Sequence, residues 1–410
     1  MKHLLKIISS LTVLSTSVLA VSCTNKSEQN NKDQLPNNKD NKEDKNNKEQ
    51  QDQPSDQPKE EPKIQISEEE KQEVINALQK VFKEQEDAFG SFHTHQEVLD
   101  QLKVYLNDNK IKHLDHLKLT NEKEKNTNLK IDNGNKKENK IKIIYFDKQT
   151  TFIPKTVLEN KVKSKYNSTK NELIQIGYEL DFIKNIKLST VNKNTVKVPM
   201  HLPLKINSLD ESFQNLESSK IDNLDKWDTS NIKFLTKTFD GASKFNQDIS
   251  SWNVSNVIDM TEAFSGATKF NQNLNPWDTS KVKSMKGLFW EAEEFNGDIS
   301  NWRTKNVDDM SVMFSGAKKF NQDLSRWDTS KVDSMKGMFT NAETFNSNIS
   351  SWNTSNVSSM EQMFQNAKSF NHNLSSWNVD KVTHAEKFRI GANKNFSQEK
   401  EPKFGPTVSK

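Results

Sequence analysis

An α/β solenoid, built as an array of 25-residue strand/turn-helix coils, is the fold this sequence predicts, and three observations carry it. Trp227, Trp252, Trp277, Trp302, Trp327, Trp352 and Trp377 follow one another every 25 residues without a slip. A strict period of that length marks a chain that stacks like units along one axis. Within each unit Val257, Met260, Phe264 and Ala267, copied as Val282, Met285, Phe289 and Ala292, advance in steps of three, four and three, which keeps them on one face of a helix. Between these runs "FNQDIS" alternates Phe245 and Ile249 with polar residues. It predicts a short strand or extended turn that pairs with its copy in the next coil as a parallel ladder.

Taken in chain order, residues 1–22 read as a secretory signal: Lys2 and Lys6, an apolar run from Ile7 to Leu19, then the small residues Ala20 and Ser22. The chain's one cysteine, Cys23, follows at once. "AVSC" resembles the lipobox of bacterial lipoproteins, with Ala20 in place of the usual leucine, and so makes Cys23 the lipidated residue. Attachment to the outer face of the cell membrane through that lipid is the implied partner, since two buried acyl chains anchor stably. Residues 23–66 are rich in Asn, Lys, Glu and Gln with almost nothing to bury, predicting a disordered tether with an end-to-end distance on the order of 35 Å.

Residues 67–197 read as a small α+β segment. Ser67 with Glu70, and Thr94 with Glu97, are two capping boxes. Each opens an amphipathic run, through Val74, Leu78 and Val81 in the first and Val98, Leu99, Leu102 and Leu106 in the second, predicting a helical hairpin. "TNLKIDNGNKKENKIKIIYF" then reads as two strands around an Asp-Asn-Gly turn. A worn capping repeat is expected at 198–223, the array at 224–398 and a C-terminal tail at 399–410.

Inside the repeat, Thr279 and Ser280 stand where they would cap the expected helix. The residue before each repeated alanine is Gly241, Gly266, Glu291, Gly316, Asn341, Asn366 or Gly391. Glycine and asparagine tolerate the left-handed conformation that ends a helix, so mild local strain or a shifted helix end is expected at Glu291. Asn246, Asn271, Asn296, Asn321, Asn346 and Asn371 form one column, predicted to bond to one another or to turn backbone. Two columns vary: Asp240, Ser265, Trp290, Ser315, Thr340, Gln365, and Lys237, Glu262, Gly287, Val312, Gly337, Gln362. Trp290 interrupts an otherwise polar column and is the candidate partner contact, because tryptophan is a frequent interface anchor.

Composition narrows the function classes. With 59 basic and 56 acidic residues the net charge is +3, too small and scattered for a nucleic-acid partner. One cysteine permits no internal disulfide and no thiolate metal cluster. His93, His95, His113 and His116 group together without a completing carboxylate or thiol, and are read as surface histidines with no metal. No nucleophile with its base, no phosphate-cradling glycine loop and no paired carboxylates in an apolar setting are found. The expectation is no enzyme, no catalytic residue, no cofactor and no small-molecule substrate.

"FNQDISSWNVSNV", the steps through Met260 and Phe264, and the lipobox before a polar tether together resemble the BspA-like leucine-rich-repeat lipoproteins of mycoplasmas. "IGYEL" through "VKVPMHLPLKI" is similar to their usual lead-in. The resemblance implies a right-handed leucine-rich-repeat-like array on the cell surface, and adhesion to host or extracellular-matrix proteins for some members. It carries no binding residue, since the matching positions are structural. A lipid-anchored protein-binding module is one functional expectation. The other is a structural or antigenic coat with variable repeat number and no dedicated ligand.

Overall fold

The computed structural model describes residues 64–108 and 110–409. The signal segment, Cys23 and the tether up to residue 63 lie outside the described residues. Two buried apolar clusters organise the described chain, one drawn from Val74 to Val157 and the other from Val162 to Val408.

The first cluster lies between two helices and a sheet. In α1 (Glu68–Glu84) the Ser67 hydroxyl accepts the Glu70 N–H while the Glu70 carboxylate accepts the Ser67 N–H. Thr94 and Glu97 do the same for α2 (His95–Asn107). Both boxes satisfy N–H groups that the first turn leaves free. Leu78, Val98, Leu102 and Leu106 are fully buried. The sheet is β1 (Leu117–Leu119), β2 (Ile141–Tyr145) and β3 (Lys148–Phe152), antiparallel in that order. Only the second half of the expected Asp-Asn-Gly hairpin is therefore a strand. The Asp132 carboxylate accepts the N–H groups of Gly134, Lys136 and Glu138, and Asn139 exchanges two hydrogen bonds with the Lys130 backbone. Those bonds close the segment as a loop stapled by side chains, and β2 turns instead through Phe146, at φ 53°, into β3.

Short antiparallel pairs lead into the array: β4 (Lys161–Val162) and β8 (Ile186–Leu188) flank β7 (Tyr178–Leu180), while β5 (Lys165–Tyr166) pairs with β6 (Leu173–Gln175). Single parallel bridges then join Lys187, Ser208, Phe234, Asp259, Ser284, Asp309, Ser334, Ser359, His384 and Ser409 in one row. A second row joins Glu172, Lys197 and Asp222. The stacking thus begins before the expected boundary at 198. It also runs past 398: Ser409 bridges to His384, the Leu374 N–H donates to the Lys400 carbonyl, and Val408 is buried. Residues 399–409 are the closing coil, correcting the expected tail, because the last repeat needs its apolar end covered.

The expected helix in each coil is absent. Backbone N–H groups there alternate between two uses. Ala263, Ser265 and Ala267 bond back three residues to Met260, Glu262 and Phe264 as turns, while Met260, Glu262, Phe264 and Gly266 bond to Ser284, Lys286, Leu288 and Trp290 of the next coil. Two residues per coil, four apart, hold φ in the left-handed region, such as Glu262 at 55° and Gly266 at 64°. A right-handed helix admits neither. Thr279, expected as a helix cap, instead exchanges hydrogen bonds with the Arg303 backbone one coil on.

The inward side chains are those the spacing selects: Val257, Met260, Phe264 and Ala267 are at most 1% exposed. Each tryptophan of the 25-residue period from Trp252 to Trp377 donates its indole N–H to a carbonyl 28 residues earlier, as Trp302 does to Leu274 at 2.9 Å. "FNQDIS" forms no strand. Its ladder is made by side chains, since each Asn Oδ1 accepts the backbone N–H of the Asn one coil later, from Asn246 to Asn371 at 2.8–3.0 Å. Lys400 Nζ ends the row on Asn371 Oδ1 at 2.6 Å.

The two clusters meet through polar contacts. Tyr178 donates its hydroxyl to the Ala88 carbonyl at 2.8 Å, Lys205 pairs with Glu97 at 2.6 Å, and His201 with Asp108 at 2.6 Å.

Candidate functional site

With its interior uniform, the array differs from coil to coil mainly on its outside, and the two variable columns behave differently. Lys237, Glu262, Gly287, Val312, Gly337 and Gln362 all lie at φ between 51° and 61°. Backbone conformation constrains this column, so its variation is not free for recognition. Val312 is the costly member, because a β-branched residue there stores about 1–3 kcal/mol of strain. It stands between two glycines, and a Cβ on Gly337 would come within 3.1 Å of Val312 Cγ1.

The neighbouring column holds Trp290. Its indole is 40% exposed, whereas Ser265 and Ser315, one coil to either side, are 8% and 6% exposed. The Trp290 backbone is fixed at both polar groups: its N–H donates to Gly287 at 3.0 Å and its carbonyl accepts the Gly266 N–H at 2.6 Å. A large aromatic surface therefore projects from a rigid frame, a low-entropy arrangement for contact. Glu291, beside it, takes the left-handed φ of 56° that glycine or asparagine takes in the other coils. Its carboxylate lies over Gly316, within 2.7 Å of where a Cβ there would stand.

Residues 207–318 and 294–401 match the family described as Mycoplasma protein of unknown function, DUF285. The DUF285 match takes in residues 207–401, a little under half of the chain, and includes Trp290. Neither a curated protein nor a solved structure matches. The match agrees with the mycoplasma repeat character read from the sequence, and its description assigns no activity.

Two of the four histidines expected at the surface are buried, His93 at 3% and His95 at 7% exposed. His93, just before α2, is enclosed by Phe89, Phe92 and Tyr178. Burial holds its imidazole down at about 4. His95 sits 3.6 Å from Glu124, and burial again lowers its pKa. Among the described residues no group of three or more His, Cys, Asp or Glu is placed to hold a metal, and no helix is long and apolar enough to cross a membrane. Cys23 lies outside the described residues.

Sequence reasoning missed one exposed feature. At the β7–β8 turn Phe182 is 93% and Ile183 59% exposed, held out by the Asp181 carboxylate, which accepts the N–H groups of Ile183 and Asn185. The Asp-x-x-x-Asn spacing was the available signal.

Proposed function

We propose that the chain is a lipid-anchored cell-surface protein whose solenoid of stacked coils presents its outer face to a protein partner, including host or extracellular-matrix proteins, without a catalytic role. The observation that carries this reading is Trp290, a rigidly framed, 40% exposed tryptophan in a column whose flanking serines are buried. Interface anchors are commonly isolated aromatics on a polar surround. In this reading Cys23 carries the lipid at the extracellular face of the membrane, and the polar segment behind it holds the array away from the bilayer.

Metabolic labelling with radioactive palmitate tests the anchor. Label is expected on the full chain and none on Cys23→Ser; label retained by Cys23→Ser would refute it. Binding of the full chain to an array of host extracellular proteins separates the module from a coat. Binding to one or a few of them supports the module, and binding to none supports a coat without a dedicated ligand.

A further inference from the structure

Stacking gathers lysines that sequence order scatters. Lys281, Lys331 and Lys381 occupy one position in every second coil. Each Nζ donates to the asparagine of the preceding coil: Lys281 to Asn256 at 2.5 Å, Lys331 to Asn306 at 2.8 Å, and Lys381 to Asn356 at 2.6 Å. Those asparagines are themselves held, since their amides donate to the carbonyls of Ser230, Ser280 and Ser330 at 2.6–2.8 Å. Most lysines elsewhere on the array that are fixed in place are fixed by glutamate, as Lys318 is by Glu293 and Lys368 by Glu343. Here a neutral amide does the positioning, and Asp278 and Asp328 act on Lys281 and Lys331 only through space, without an ion pair.

No carboxylate of the described residues lies within 4.0 Å of these three amino groups or of the adjacent Lys283. The nearby Asp278 and Asp328 accept the N–H groups of Ser280 and Ser330. Lys281, Lys283 and Lys331, with Asp308, line an open groove of about 710 Å³ whose one apolar residue is Ile258. At strand spacing, lysines two coils apart lie about 10 Å from one another along the stack.

We propose that this row binds a sulfated linear polysaccharide. Lys281, Lys331 and Lys381 recur at every second coil, the first two of them along the open groove, and this even spacing matches a stiff chain carrying anionic groups at even intervals, since ammonium groups donate readily to sulfate oxygens. An acidic protein would be expected to seat an apolar anchor, which the groove does not offer. Single-stranded nucleic acid would use aromatic platforms for its bases, and no aromatic side chain lines the groove. The site is separate from Trp290 and does not depend on the lipid at Cys23.

Immobilised heparin is the probe, with the full chain in solution. Binding is expected at low salt and should weaken as salt rises. The triple variant Lys281→Gln, Lys331→Gln, Lys381→Gln keeps a donor for each asparagine, and should bind about tenfold more weakly or worse. Lys318→Gln, Lys319→Gln, Lys368→Gln changes the net charge equally at lysines already paired with glutamate, and should bind as the parent does. Equal losses in the two triple variants, or no binding at low salt, would overturn the proposal. So would binding to polyglutamate or an oligonucleotide as tight as to heparin.

Discussion

Replacing Trp302 by alanine is expected to lower the unfolding free energy by about 3–5 kcal/mol. The indole is 3% exposed, lies parallel between Trp277 and Trp327 with centroids 6.3 Å away on each side, and packs 6.2 Å from Phe289. Alanine would leave a cavity between two coils that the neighbouring rings cannot fill without breaking their own stacking. It would also remove the indole donor from the Leu274 carbonyl. A coil contacts mainly its two neighbours, so the loss falls on two interfaces near the middle of the array. Denaturant titration followed by tryptophan fluorescence and circular dichroism reads the effect. Trp302→Phe keeps most of the packing and should cost less, and an unchanged midpoint in Trp302→Ala would remove the tryptophans from the core.

Acid should destabilise the protein through His93. Gly90 N–H lies 3.1 Å from Nδ1, and Nε2 lies 3.1 Å from the Tyr178 hydroxyl, which itself donates to Ala88. The Gly90 carbonyl also lies 3.1 Å from Nδ1, and a neutral ring, which has one donor and one acceptor nitrogen, satisfies that network. Burial is the main cause that holds its pKa at about 4, below the ordinary 6.5; the hydrogen bond with the Gly90 backbone opposes it, Lys205 pushes the same way as burial, and Glu97 opposes. The unfolded chain therefore takes up this proton first as pH falls. Stability contributed by the neutral ring is present above about pH 6.5 and is lost as the pH falls toward 4, by about 3 kcal/mol in all. Glu97 and Asp87, whose carboxyls are lowered by their lysine partners against the opposing effect of burial, add losses of the same sign at lower pH. Comparison with His93→Gln isolates the histidine: the variant is expected to start less stable at pH 7 and to lose less between pH 7 and 4.5. Parallel pH profiles for the two proteins would contradict the assignment.

Residue spacing alone identifies the interior of the array. The tryptophan period, the apolar steps and the left-handed position before each alanine all reappear as buried rings and positive φ values. Turns read as helix in the sequence because steps of three, four and three also describe successive turns that each return a side chain inward. The deciding partner of Phe264 N–H is the Leu288 carbonyl, one coil away, and no local pattern names it. The second left-handed column is hidden as well, since glycine occurs in it only at Gly287 and Gly337 while Lys, Glu, Val and Gln fill the described remainder. His93 reads as exposed because Tyr178, which helps bury it, comes 85 residues later. The lysine row is invisible for the same reason, each member being 50 residues from the next. Trp290 is legible, because a lone tryptophan outside the period has no place in the core.

The shared residues build the array, and under the proposed function the differing ones address a partner. Trp290→Ala tests it most directly, measured as binding to the extracellular protein captured by the parent chain, alongside a thermal melt. A melt close to the parent's is expected, since the residue is already 40% exposed, with binding weakened at least tenfold, as loss of an anchor costs about 2 kcal/mol or more. Unchanged binding with an unchanged melt would contradict it.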